Sequence, residues 1–249
     1  MQLAGKIALI TGGTRGIGAA TAIALAHDGA DVAIVGRNLD ANATATRDAI
    51  IKLGRRCELI QADCGKHGEA TRCVKEAELK LGRVAVLVHC AGGPVNGGLF
   101  DLTPETWNEA FDLHVHAVFY LGRAVIPSMQ ANKEGAIILV SSVAGIRGVI
   151  TNPAYQVVKG ALPQFARALA REFAADNIRV NCVAPGIIRT AFHASMTAEQ
   201  KKINLEQRIP LRREGTPGQV ADAIVLLAKN DYVTGETLTV DGGLTMRIA

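Results

Sequence analysis

Seven short runs of β-branched and aliphatic residues, separated by longer helical patterns, most constrain what this chain can fold into. They are KIALIT (6–11), DVAIVG (31–36), CELIQA (57–62), VAVLVHC (84–90), AIILVS (136–141), IRVNCVA (178–184) and ETLTV (236–240). Their apolar character is nearly continuous rather than alternating, as expected of strands covered on both faces. Patterns such as GIGAATAIALAHDG and ANATATRDAIIKLG lie between them, and each closes at a glycine, the usual helix stop. Strand–helix alternation predicts an α/β fold, a doubly wound parallel sheet with helices on both faces. No proline-rich or serine-rich linker divides the 249 residues, which read as one domain, 1–249.

The bulk properties exclude several function classes. A net charge of +4 with dispersed basic residues lacks the basic face or stripe of a nucleic-acid binder. No apolar stretch reaches the ~18–20 residues of a membrane span. Cys57, Cys64, Cys73, Cys90 and Cys182 form no CxxC pair, and the first residues read as a strand rather than a leader. The expectation is a soluble, reduced, cytoplasmic protein whose thiols are small buried hydrophobes.

Two irregularities stand out. The charged segment 187–218 is a long excursion between the sixth strand and the last helix, the kind of connection that serves as a substrate lid. Pro163 falls inside a helical run and cannot donate to the carbonyl of Lys159, so a local kink is expected, costing ~3 kcal/mol if uncompensated. The same run places Tyr155 one helical turn before Lys159. Alone, such a pair can be no more than a ring packed on a lysine stem.

The first strand leads into TGGTRGIG (11–18), with glycines at 12, 13, 16 and 18, and then into a helix. Glycine permits a tight turn and lets a pyrophosphate reach bare amides at a helix N-terminus. The spacing is TGxxxGIG rather than GxGxxG. In this form, and over nearly the whole chain, the sequence resembles the short-chain dehydrogenase/reductase family. The resemblance makes Tyr155 and Lys159 the family's YxxxK pair and Ser142 its serine. CAGG (90–93) matches the family's Asn-Asn-Ala-Gly turn imperfectly, NCVAPGIIRT (181–190) its Pro-Gly turn, and YVTGETLTVDGG (232–243) its C-terminal strand. It implies a Rossmann-type domain that binds a nicotinamide dinucleotide through Gly12, Thr14, Arg15, Gly16, Ile17, Gly18, Arg37, Asp63, Cys64, Ala91, Gly92, Pro185, Gly186, Ile188 and Thr190, together with Tyr155 and Lys159.

The second strand ends VAIVGRN. Gly36 stands where an acid would bind the ribose 2′-hydroxyl, and Arg37 follows, with Arg15 as a further positive charge. A guanidinium pairs well with phosphate, so NADP(H) is the preferred cofactor and NAD(H) the alternative. At the chemical end, Tyr155 is the expected acid or base, its phenol pKa brought down by the Lys159 ammonium. Ser142 would hold the same substrate oxygen, with Ser141 as its neighbour and competitor. His114 stands where the family has an asparagine, either holding a water and shuttling protons or only hydrogen-bonding a backbone carbonyl and packing. His89 and Cys90 replace the asparagines of the turn after the fourth strand. His116 points to another face, and no metal site is expected.

The implied activity is hydride transfer between a nicotinamide and a small-molecule carbonyl or secondary alcohol. One reading is a reductase of 3-oxoacyl thioesters on an acyl carrier protein, with Lys201, Lys202, Arg212 and Arg213 as a basic rim, although a solvated loop face would carry the same charges. The alternative is a sugar or polyol dehydrogenase. A dinucleotide-binding protein without turnover is a third reading, disfavoured by the intact Ser142, Tyr155 and Lys159. The resemblance also implies a homotetramer.

Overall fold

The computed structural model describes residues 1–194 and 196–246. Its strands are β1 (Ile7–Thr11), β2 (Asp31–Gly36), β3 (Cys57–Gln61), β4 (Val84–His89), β5 (Gly135–Val140), β6 (Ile178–Pro185) and β7 (Thr237–Val240). They form one sheet in the order β3-β2-β1-β4-β5-β6-β7. Every neighbouring pair is parallel. Each expected run lies within one residue of a strand at both ends. Strand order reverses between β1 and β4, whose carboxyl ends pair at Thr11 and His89. Ligands of open α/β sheets bind in the crevice beyond such a switch point.

The continuous apolar runs are explained by burial on both faces. Every residue of β1, β4, β5 and β6 is buried, whereas only Ile60 of the edge strand β3 is. Alternate residues of β1 feed opposite cores. Leu9 joins the layer under α3 (His67–Leu81), α5 (Ala117–Asn132) and α6 (Pro153–Phe173). Ala8 and Ile10 join the layer under α1 (Gly16–His27), α2 (Ala41–Lys52) and α8 (Pro217–Lys229). Each fully buried Leu or Ile there stabilises the fold by ~1.5–3 kcal/mol. The chain leaves α1 and α2 through Gly29 (φ 96°) and Gly54 (φ 75°), the conformation that glycine adopts without strain.

Three local features bear on the crevice. The helical run from Pro104 to Asn132 is α4 (Pro104–Phe111) and α5 joined by a π-turn at Asp112–His116, where a regular helix is the simpler expectation. The extra residue of a π-turn changes which side chains face inward. His114 is buried here, while His116 is exposed and pairs with Asp112 Oδ1 at 2.7 Å. Helix α6 continues unbroken through Pro163. The excursion 187–218 carries a 3-10 turn (Ala191–His193), α7 (Ala198–Ile203) and a second π-turn (Asn204–Arg208), with Ser195 outside the described residues. Its ends are tied together, since the Gly215 amide donates to the Ile187 carbonyl and the Arg189 amide to that of Gly215, each at 2.9 Å. Among the described residues no helix is long and apolar enough to cross a membrane.

Candidate active site

The glycine turn is built by close backbone approach. A Cβ on Gly12 (φ 65°) would lie 2.8 Å from the Ala91 backbone, and one on Gly18 would lie 2.2 Å from the Gly12 carbonyl oxygen. The turn after β1 therefore rests directly on the turn after β4. Gly16 (φ 58°) opens α1 and faces Thr190 of the loop after β6, 3.5 Å from where its Cβ would be. Arg15 at the N-cap makes no side-chain cap, and the first turn of α1 has no acid. Its amides are left to an external acceptor, and the helix dipole favours an anion there. The cradle fits a pyrophosphate.

At the end of β2, Thr14 explains the missing acid. A Cβ on Gly36 would lie 2.7 Å from Thr14 Cγ2, so the buried threonine occupies the space of a side chain at 36. Arg37 and Asp63 line one cleft of about 390 Å³ with Gln61, Ala62, Glu69 and Arg72. Arg15 differs from expectation, because its guanidinium is engaged by Asp40 at 3.1 Å. Asp63 is fixed by its own loop: its carboxylate accepts from the Gly65 amide at 3.1 Å, and its amide donates to Glu69 Oε2 at 2.7 Å. Two predicted cofactor residues do not present side chains to the crevice. Cys64 and Ile188 belong to the two buried cores, so each can offer only backbone.

The chemical end gathers residues from β4, β5, the π-turn and α6. Lys159 is buried and donates through Nζ to the Val140 carbonyl at 2.8 Å. Its Nζ lies 5.8 Å from the centre of the Tyr155 ring. Burial brings its pKa down to about 8. Ser142 accepts from the Ala144 amide at 3.1 Å, which sets its hydroxyl at the start of a 3-10 turn. Burial raises the pKa of Tyr155, and the hydrogen bond from Ser142 only partly offsets this. The expected lowering by Lys159 is therefore not what the protein groups produce: desolvation dominates, and the ammonium is directed at Val140 rather than at the phenol.

His114 sits in the same cluster, 1% exposed. Its ring meets Tyr155 edge-on with centroids 5.9 Å apart, and a Cβ on Gly92 would lie 2.6 Å from its Cε1. Desolvation, then the Lys159 charge, bring its pKa down to about 2. Burial and the Lys159 charge thus favour the neutral imidazole over the cation that a proton shuttle needs, and among the described residues neither ring nitrogen has a hydrogen-bond partner. His89 is also neutral, its pKa held at about 3 by burial, with Nδ1 on Thr11 Oγ1 at 2.9 Å. That hydroxyl accepts from the Ala91 amide at 3.3 Å, so His89 and Thr11 support the turn that the family's asparagines would otherwise build. Among the described residues no cluster of His, Cys, Asp or Glu could hold a metal.

One site residue, Phe192, escaped the sequence reasoning, as did the contact that Thr14 makes at Gly36. Phe192, from the excursion, packs on Tyr155 with ring centroids 5.9 Å apart, so the lid reaches the phenol. Thr14 matters through its methyl group at Gly36. Nothing in the local sequence pattern marks either contact, because both join segments distant in the chain.

Comparison with known proteins follows the same outline. A family model described as "Enoyl-(Acyl carrier protein) reductase" matches residues 12–245. The 3-oxoacyl-[acyl-carrier-protein] reductase FabG of Chlamydia muridarum is 35% identical, over 97% of this chain and 98% of that protein. Dehydrogenase/reductase SDR family member 4 of Homo sapiens is 36% identical, over 99% of this chain and 90% of that protein. Among solved structures, L-sorbose reductase of Gluconobacter frateurii, complexed with NADPH and L-sorbose, superposes with a TM-score of 0.91 at 30% identity, covering 100% of both chains.

Proposed function

Since the chain belongs to the short-chain dehydrogenase/reductase family, and is therefore an oxidoreductase, we propose that it reduces a carbonyl group with NADPH, its substrates being 3-oxoacyl thioesters. The observation that carries this reading is the setting of Tyr155. Its ring is gathered with the Lys159 ammonium and the His114 imidazole and is met by Phe192 of the lid. In the reducing direction that phenol is the acid that gives the carbonyl oxygen its proton.

The glycine turn and Arg37 would hold NADPH, which when bound would supply the hydride for the carbonyl carbon. The chain's own groups then do the rest. Ser142 and Tyr155 hydrogen-bond the carbonyl oxygen, and Tyr155 gives it a proton as the C=O π bond becomes a C–O single bond. Lys159, charged below pH about 8 and held on the Val140 carbonyl with its Nζ 5.8 Å from the Tyr155 ring centre, places a positive charge near the phenolate left behind without bonding to it. His114 stays neutral and has one donor and one acceptor nitrogen free, so it suits a bridging water rather than proton transfer through imidazolium.

The preference for NADP(H) over NAD(H) rests on Gly36 and Arg37. Thr14 denies position 36 the acid that would bind a 2′-hydroxyl, and Arg37 offers a guanidinium in the cleft to a 2′-phosphate. The thioester reading is supported by the acyl-carrier-protein reductase relatives and by the apolar wall that Phe192 gives the phenol. Lys201, Lys202, Arg212 and Arg213 are exposed, as a rim for an acidic carrier would be. A sugar substrate is the second reading, favoured by the resemblance to L-sorbose reductase. Half-exposed Phe119 on α5 and Val157 on α6 suit subunit packing in a homotetramer.

The test is consumption of NADPH, followed by absorbance, against 3-oxoacyl thioesters, ketoses and simple ketones. Turnover fastest with thioesters is the expected result. Turnover confined to ketoses selects the sugar reading. Cofactor binding with no turnover across the panel overturns the assignment.

A further inference from the structure

Pro163 has no amide hydrogen, so the carbonyl four residues earlier, that of Lys159, loses its helical donor. That carbonyl is not orphaned. Ser141 Oγ donates to it at 2.6 Å in a buried contact. Ser141 is 3% exposed and Lys159 5% exposed, so no bulk water can serve instead. The same loop is seated on the helix at this point, since a Cβ on Gly145 would lie 2.5 Å from the Lys159 carbonyl carbon. Two successive residues thus address Lys159, the Val140 carbonyl taking its ammonium and Ser141 its carbonyl, while the next, Ser142, turns its hydroxyl to the Ala144 amide.

We propose that Ser141 is a positioning residue for Lys159, its hydroxyl replacing the amide hydrogen that Pro163 cannot supply. The pairing divides the work of the two serines. Ser141 turns inward and holds the helix backbone, leaving Ser142 free for the substrate oxygen. Proline at 163 makes the hydroxyl necessary: in an ordinary helix the backbone would satisfy the carbonyl, and nothing would tie α6 to the end of β5 through this bond. The role assigned to Ser141 rests on Lys159 belonging to the catalytic set.

A cycle of Ser141→Ala, Pro163→Ala and the double variant tests this, because alanine at 163 restores the helical N–H. The first readout needs no substrate: the midpoint of Tyr155 ionisation, from tyrosinate absorbance in protein saturated with NADP+, with Tyr155→Phe as blank. Ser141→Ala alone should shift that midpoint by about half a pH unit or more and lower kcat about tenfold with KM little changed, the size expected of a displaced catalytic group. In the Pro163→Ala background the same substitution should change neither by more than about twofold. Should Ser141→Ala fail to fold, Pro163→Ala must rescue folding. Equal effects in both backgrounds, failure of that rescue, or a loss of thermal stability with an unmoved midpoint would overturn the proposal. Failure of the carbonyl-reductase reading is distinguishable, because it abolishes turnover in every variant yet leaves the ionisation cycle intact.

Discussion

Replacing Lys159 with methionine should separate stability from activity, with a sign that changes with pH. Burial holds the ammonium at a pKa of about 8 in the folded protein, against 10.5 for an ordinary lysine. At 1.36 kcal/mol per pH unit, keeping the charge inside costs about 3 kcal/mol. The folded pKa is depressed, so the cost is complete below pH 8. It is relieved as pH rises from 8 to 10.5, where the unfolded chain holds more protons than the folded one and stability increases with pH. Methionine removes the charge but also the bond to the Val140 carbonyl, a loss of ~1–3 kcal/mol. At pH 7 the variant should therefore be as stable as wild type, or more stable by up to ~2 kcal/mol. By pH 10 the wild type has recovered about 2.5 kcal/mol of its penalty, and the variant should be the less stable of the two. Urea unfolding of the ligand-free proteins at both pH values measures this. A stability difference that does not change with pH would refute the reasoning, as would a methionine variant several kcal/mol less stable at pH 7.

The cofactor and histidine arguments make their own predictions. Arg37→Ala should weaken NADPH binding ~10–100-fold, the worth of a charge-assisted hydrogen bond to phosphate, and leave NADH binding nearly unchanged; fluorescence titration of both cofactors checks it. Gly36→Asp should lower thermal stability without gaining NADH affinity, because the new Cβ meets Thr14 Cγ2, and adding Thr14→Ala should recover part of the loss. His114→Asn should leave the pH–rate profile between pH 6 and 9 unchanged in shape, since the imidazole is already neutral with a pKa of about 2. An ionisation near 6.5 that vanishes in this variant would contradict that assignment.

How much could be read from the chain depended on how local each cause was. The central strands were legible because burial on both faces imposes continuous apolar runs, and the glycine turn because its backbone crowding admits little else. Tyr155, Lys159 and Ser142 come together as their spacing and the family resemblance imply. His114 was legible as a departure but not as a buried, neutral group, since that depends on the π-turn at Asp112–His116 and on the neighbouring Lys159 charge. The direction of the Tyr155 shift was misjudged for the same reason: proximity in sequence shows a cation, not the desolvation that outweighs it. Pro163 announced an unmet carbonyl, but only the packing of β5 against α6 identifies Ser141 as the group that meets it. Substrate choice lies in contacts of the excursion, such as Phe192 on Tyr155, which no periodicity encodes.

The most direct test compares Tyr155→Phe with wild type, using NADPH and the carbonyl compound that the wild-type protein reduces fastest. The phenol gives the proton in this account, so the variant should lose ~10²–10⁴-fold in kcat while its affinity for NADPH stays within about twofold. Turnover within a few-fold of wild type would contradict it.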